Sequence, residues 1–474
     1  MVAKAVMGVV ALLGACAHGV LEREAGAEYV VEIDGAAFDR PLPADANALQ
    51  MREILLGANR YALTTWYDGT FGGQHGTYLQ LASFDEQDVR PAASEAFALA
   101  VSLRTQIYDP QITGVSADDA ESCAGHLLTS LAASHLANRD DGWGDDWQTA
   151  LWAAYAGTAG WLLWDALSPD DARMVGRMVE LEAMRFVDYQ VPYYRDAHGE
   201  VVSSGDSKAE ENAWNAQLLY LAVNMMPEHP QRAAWEGKAA ELAISSYARP
   251  SALESGEIVN GHPLSVWLAG SNANADGAVI NHNIVHPDYI ATAAYTASAP
   301  LWYGLARRPT PDAMFVGTTA AYATLTDTPW DPELDYEDTS CLLTPCACSQ
   351  FLRCTADAPG GTIYVAGSDE IYFPHGNDWG NGRRMNYAMF DALADAFALD
   401  TESTTPAAVW EARHGRVVLD SQRASHDRRA YTSDAEDSYQ GREAWVAVHA
   451  AMGWLAKYVV AQGVHTRTDI PLAR

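Results

Sequence analysis

The sequence predicts an all-α fold, an (α/α) toroid of helical hairpins, with a small β-hairpin and a Cys-rich loop inserted late in the chain. Three observations predict it. Apolar residues recur at helical spacing through nearly all of the 474 residues. The periodic segments are joined by alternately short and long connections, as helical hairpins require. One segment, Ala153-Ala154-Tyr155-Ala156-Gly157-Thr158-Ala159-Gly160, carries the small side chains needed where helices crowd inside a ring. No repeat with a solenoid period is present, which counts against an open helical stack.

The elements follow in order. Lys4 and the apolar run Ala5 to Leu13 form a targeting segment too short to span a bilayer. Leu13-Gly14-Ala15-Cys16 resembles the lipobox of bacterial lipoproteins. The resemblance implies a signal peptide over 1–16, acylation at Cys16, and export to a membrane face. Ala17 resembles the outer-membrane sorting pattern; a plain secretory signal is the alternative. Residues 17–44 read as a tether and N-terminal extension, with a short strand over Tyr29 to Ile33. Residues 45–474 read as a single toroid domain. Its helices are predicted near 46–62, 90–107, 117–137, 146–166, 168–188, 208–226, 230–247, 287–306, 311–325, 383–398, 404–414 and 441–461, with Pro300 kinking one of them. Thr362 to Val365 and Glu370 to Phe373 predict the hairpin. Cys341, Cys346, Cys348 and Cys354 read as two disulfides with three possible pairings. Zinc is the alternative, against which the absence of paired C-x-x-C knuckles counts. Cys123 reads as a small buried hydrophobe.

Lys plus Arg total 30 against 62 Asp plus Glu, a net charge of -32. Such a surface repels phosphate backbones, which excludes nucleic acid, and it disfavours an anionic substrate unless local cations compensate. Fifteen Trp and 22 Tyr against 10 Phe suit sugar rings, each offering a flat apolar face and a polar edge.

The candidate site comes from one recurring event, a polar loop running into an apolar helix. Trp143 and Trp147 flank Asp145-Asp146, so an aromatic face and hydroxyl-binding carboxylates come together, unless Asp145 or Asp146 is only an N-cap. Ser207-Lys208-Ala209-Glu210 has the form of a capping box, which explains Glu210 without chemistry. Glu211 and Asn215 share a polar stripe with Lys208 and become candidate ligand contacts. Asn281, His282, Asn283, His286 and Tyr289 gather around a helix start fixed by Pro287. His375, Asp378 and Trp379, followed by Arg383-Arg384, form a further wall, the arginines being placed either for a carboxylate or for surface ion pairs. Asn272 to Gly277 has the rhythm of a calcium loop but lacks the bidentate Glu, and His282 with His286 is a weak zinc pair.

At Asn281-His282 the chain resembles the helical-toroid polysaccharide lyases of the alginate lyase and heparinase type. That resemblance implies β-elimination from a uronic-acid glycan, with Asn281 neutralising the carboxylate, His282 as base or its partner, and Tyr289 as acid. Here Ile280 precedes the pair, and the Tyr falls seven residues after His282. The alternatives are a glycoside hydrolase on the same ring, drawing two carboxylates from Asp145, Asp146, Glu211 and Asp378, and a non-catalytic glycan-binding lipoprotein.

Overall fold

The computed structural model describes residues 27–39, 41–330, 360–375, 383–431 and 441–474. Cys16, Cys341, Cys346, Cys348, Cys354, Asp378 and Trp379 lie outside the described residues. What is described is dominated by helix, with strands of two residues each.

Fourteen helices carry the architecture: α1 (Ala46–Tyr61), α2 (Val89–Arg104), α3 (Ala117–Ala133), α4 (Thr149–Leu162), α5 (Pro169–Met184), α6 (Ala209–Met225), α7 (Arg232–Ser246), α8 (Pro287–Ala291), α9 (Ala293–Ala297), α10 (Ala299–Leu305), α11 (Thr318–Thr326), α12 (Arg384–Phe397), α13 (Ala407–Ala424) and α14 (Arg442–Ala461). Local chemistry sets several starts. The side chains of Asp45, Ser116 and Ser168 accept from the N–H groups of Ala48, Asp119 and Asp171, capping α1, α3 and α5.

Two kinds of helix result. In α4 all residues are buried, and in α6 all but Glu211, so these helices are enclosed on every side. α5 and α13 keep an exposed charged face. The enclosed helices contact one another in a closed circuit. α2 packs on α4, α4 on α6, α6 on α9 and α10, α9 on α12, α12 on α14, and α14 on α2. A second set leans on them: α3 on α2, α5 on α4, α7 on α6, α11 on α8 and α9, α13 on α12, and α1 on α13 and α14. Gly157 shows how tight this is, because a Cβ there would meet Val179 Cγ2 at 2.4 Å and Leu221 Cδ2 at 2.7 Å.

Several local expectations change: the helix expected over 404–414 runs Ala407–Ala424, and that expected over 311–325 divides into a 3-10 turn Asp312–Phe315 and α11. The helix expected over 287–306 breaks at Thr292 and Ser298 into α8, α9 and α10. The hydroxyls of Thr292, Thr296 and Ser298 each bond the carbonyl three residues back and compete with the helical ladder, and Pro300 lacks the N–H that would bridge the second break. Tyr29 to Ile33 is not a strand. Tyr29 lies in a turn, and beyond it Val31 N–H bonds the Met225 carbonyl and the Trp161 indole bonds the Val31 carbonyl, so helix residues rather than a partner strand satisfy it. The expected hairpin narrows to an antiparallel bridge between Tyr364 and Ile371, and Gly361–Thr362 pairs instead with Pro329–Trp330.

Candidate active site

The N-terminus of α6 and a tight hairpin build the floor of one cavity. Ile280–Asn281 pairs antiparallel with Ile284–Val285, leaving His282 and Asn283 as a two-residue turn. Both have positive φ, 50° and 64°, as a type I′ turn demands. This left-handed backbone is uncommon for His, and it raises the His282 imidazole on the tip of a fixed hairpin. The hairpin lies against the segment before α6, with Ser207 N–H on the Ile280 carbonyl and Asn283 N–H on the Gly205 carbonyl. Gly205 permits that approach; a Cβ there would sit 2.0 Å from Asn283 Oδ1.

The cavity has a volume of about 560 Å³, within the range of small-ligand sites. Of the predicted residues it gathers Trp147, Glu211, Asn281, His282, Tyr289 and Arg383. His282 Nε2 lies 3.2 Å from the Tyr289 hydroxyl. The Arg383 guanidinium stands 5.2 Å from the Tyr289 ring centre and 4.6 Å from that of Trp445. Glu211 accepts from the Trp147 indole at 2.9 Å and lies 3.3 Å from Lys208 Nζ. Burial raises the Glu211 carboxyl above the usual range, against the lowering effect of Lys208 and the indole.

Asn281 lines the cavity, but both its amide hydrogens are engaged, by Asp206 Oδ1 at 3.2 Å and the Ser207 carbonyl at 3.1 Å. It ties the hairpin to α6, so the N–H donation expected toward a substrate carboxylate is already spent. Glu210 departs from expectation further. The capping box does not form: Ser207 Oγ donates to the Asn272 carbonyl, and Glu210 crosses to Arg383 Nη1 at 2.8 Å. Burial opposes the Arg383 charge, yet Glu210 and the nearby phenols outweigh it and hold the guanidinium above the ordinary arginine range.

Other predicted residues stand outside the cavity lining. Asp145 pairs with Arg185 at 2.9 Å, and Asp146 accepts from the Trp147 N–H. Trp143 is core, its indole on the Leu131 carbonyl. Asn215 is buried one turn deeper. His286 is buried behind the pair, its ring against those of His282 and Tyr289. His375 accepts from Val285 N–H and braces the hairpin; burial lowers it to about 4, which keeps it neutral for that task. Arg384 turns away to the Asp369 carbonyl. The calcium-like loop uses its oxygens internally, Asn272 Oδ1 accepting from the Tyr194 and Lys208 N–H groups. Among the described residues no group of three or more His, Cys, Asp or Glu is placed to hold a metal ion.

The sequence reading missed Glu86, Gln87, Arg90, Gln148 and Trp445, which also line the cavity. Arg90 and Trp445 sit in the first turns of helices whose apolar character hid them. Arg90 bonds Gln148 Oε1 at 2.9 Å and lies 4.9 Å from the centre of the Trp445 ring.

No protein-family model matches the chain, and comparison with curated proteins gives no match. Among solved structures, a glycosidase carrying a Glu-to-Ala substitution is similar over 89% of this chain and 100% of its own, at 16% identity and a TM-score of 0.39.

Proposed function

We propose that this chain is a carbohydrate-active enzyme on an (α/α) toroid, cleaving a uronic-acid glycan by β-elimination. One observation carries the reading: a His–Tyr hydrogen bond opens into a cavity of sugar-binding size with an arginine beside the phenol. Elimination needs positive charge near the uronate carboxylate, because that charge stabilises the carbanion-like transition state; the cations in the lining are Arg383 and Arg90, which a uronate would share with Glu210 and Glu86. His282 Nε2 takes the C5 proton, the C5–H electron pair forms the C4=C5 double bond, and the C4–O bond breaks. Tyr289 gives its phenolic proton to the departing oxygen, and the His282–Tyr289 bond returns a proton to the phenol. Trp147, exposed over the rim, stacks a sugar ring. Incubation with a panel of polyuronates tests this. An unsaturated product absorbing in the ultraviolet is expected, and its absence with every polymer ends the lyase reading.

A second reading is hydrolysis, favoured by one observation, the raised carboxyl of Glu211 as a proton donor. Saturated reducing ends, abolished by Glu211→Gln, would establish it. Unchanged glycan binding without turnover in His282→Ala and Glu211→Gln would leave a binding protein. We also propose that the chain is exported and lipid-anchored at Cys16; fatty-acid labelling lost in Cys16→Ser tests this.

A further inference from the structure

The loop carrying Trp147 is held from outside the cavity. Glu182, on α5, is fully buried and lines none of the cavity, yet its carboxylate receives four donors. His135 Nε2 lies 3.2 Å from Oε1, and the Asp145 N–H donates to the same oxygen at 2.8 Å. Thr149 Oγ1 donates to Oε2 at 3.0 Å, and Arg185 bonds Oε2 as well. Arg185 then returns to the loop, reaching the Asp146 carbonyl at 3.0 Å and the Asp145 carboxylate. The backbone at this point is unusual: Gly144 has φ 132° and Asp145 φ 53°. A Cβ on Gly144 would lie 2.6 Å from His135 Nε2, so the chain passes directly over the His–Glu pair. Burial disfavours the Glu182 charge, but the donors from His135, Arg185 and Asp145 outweigh it and hold the carboxyl below its ordinary range.

Two residues beyond Asp145 comes Trp147, 57% exposed and the most exposed large hydrophobic side chain on the cavity rim. Among the described residues, its indole N–H on Glu211 and an edge contact with Trp214 hold it from the cavity side. An exposed Trp on a strained loop would spend binding energy on being ordered, unless something else fixes it first.

We propose that Glu182 is a positioning residue for sugar binding: its carboxylate fastens the loop so that the Trp147 face is set before a glycan arrives. This rests on the carbohydrate reading of the cavity. The fastening acts on ground-state binding and not on proton transfer, so its loss separates KM from kcat.

The test compares Glu182→Gln with the wild-type chain in two independent arms. In the first, without any glycan, amide exchange at Asp145 and iodide quenching of Trp147 (taken as the difference from Trp147→Phe) are measured. In Glu182→Gln exchange at Asp145 should rise about tenfold or more, since a charge-assisted bond is lost, and quenching should rise with it. Unchanged exchange would overturn the proposal. In the second, on a polyuronate that is turned over, KM should rise about tenfold with kcat within about twofold, matching Trp147→Ala, and the double variant should add nothing. An equal fall in kcat and kcat/KM would overturn it. Should Glu182→Gln fail to fold, Glu182→Asp, which keeps the charge but shortens its reach to the loop, should give the same pattern at smaller size, and no change in Asp145 exchange there would overturn the proposal. If no polyuronate is turned over, the elimination reading fails by itself while the first arm still decides the fastening.

Discussion

The Arg383–Glu210 pair gives the sharpest quantitative expectation. It joins the first turn of α6 to the residue before α12 at 2.8 Å, with side chains only 7% and 9% exposed. At that burial, solvent and salt screen little, so the small values found for surface pairs do not apply. Glu210→Gln leaves a buried guanidinium whose remaining neighbours include the rings of Tyr289 and Trp445, which attract it weakly. Removing one member of such a pair costs about 3–5 kcal/mol, whereas replacing both by neutral groups of similar volume is near neutral. Glu210→Gln and Arg383→Met should therefore each lose about that much stability, and the double variant should come back to within about 2 kcal/mol of the parent. Denaturant unfolding followed by far-ultraviolet circular dichroism measures all four chains. A single variant losing under about 1 kcal/mol, or a double variant losing the sum of both, would refute the claim that this pair is desolvated and mutually dependent.

Three further outcomes are expected. Tyr289→Phe should lower turnover about 10²- to 10⁴-fold with an unchanged melting temperature, because it removes the proton and leaves the ring; steady-state rates on the active polyuronate check it. Gly157→Ala should destabilise by about 1–3 kcal/mol through overpacking against Val179 and Leu221, although alanine favours helix; thermal unfolding decides, and a stabilised variant would refute the tight packing of α4. Burial pushes the Glu411 carboxyl up to about 7, partly offset by Lys457 at 2.6 Å. Because the folded state holds this proton more tightly than the unfolded chain, the contribution is complete below the unfolded value and is lost as pH rises to about 7, then levels off. The loss is on the order of 3 kcal/mol at most, and Glu411→Gln should flatten that slope in unfolding measured from pH 4.5 to 8.

The helices were readable because their evidence is local. Periodic apolar residues, the N-caps at Asp45, Ser116 and Ser168, and the prolines at 169 and 287 act within a turn of where they sit. The hairpin tip at His282 was readable as a polar site for the same reason. What escaped needed long-range information. Ser207 and Glu210 match a capping pattern four residues long, but each found a better partner far along the chain, Asn272 and Arg383. Tyr29 to Ile33 has strand-like residues, yet the groups that satisfy it belong to Trp161 and Met225. Asp145 looked like a ligand contact because nothing in its own segment reveals Arg185, forty residues on. Glu182 was invisible for the converse reason: its neighbours read as an ordinary exposed helix.

The net charge of -32 argues against a uronate substrate, and the cavity offsets it only in part. Four carboxylates line the cavity, Glu86, Asp206, Glu210 and Glu211, and three cations lie within 4 Å of them, Lys208 serving two. Arg90 lies 3.6 Å from Glu86, Arg383 2.8 Å from Glu210, and Lys208 2.5 Å from Asp206 and 3.3 Å from Glu211. This pairing has a chemical consequence. A hydrolase needs one carboxylate protonated and another left basic and unencumbered, and ion pairing lowers the basicity of a carboxylate. His282 and Tyr289 are instead hydrogen-bonded to one another in the cavity lining, at 3.2 Å. Among the carboxylates Glu211 is the exception, because burial raises its carboxyl despite Lys208, so the proposed elimination and hydrolysis are separated by experiment. The decisive measurement is the isotope effect: deuterium at C5 of the uronate should slow the reaction if that proton is removed in the rate-limiting step, and a hydrolase would show no primary effect there.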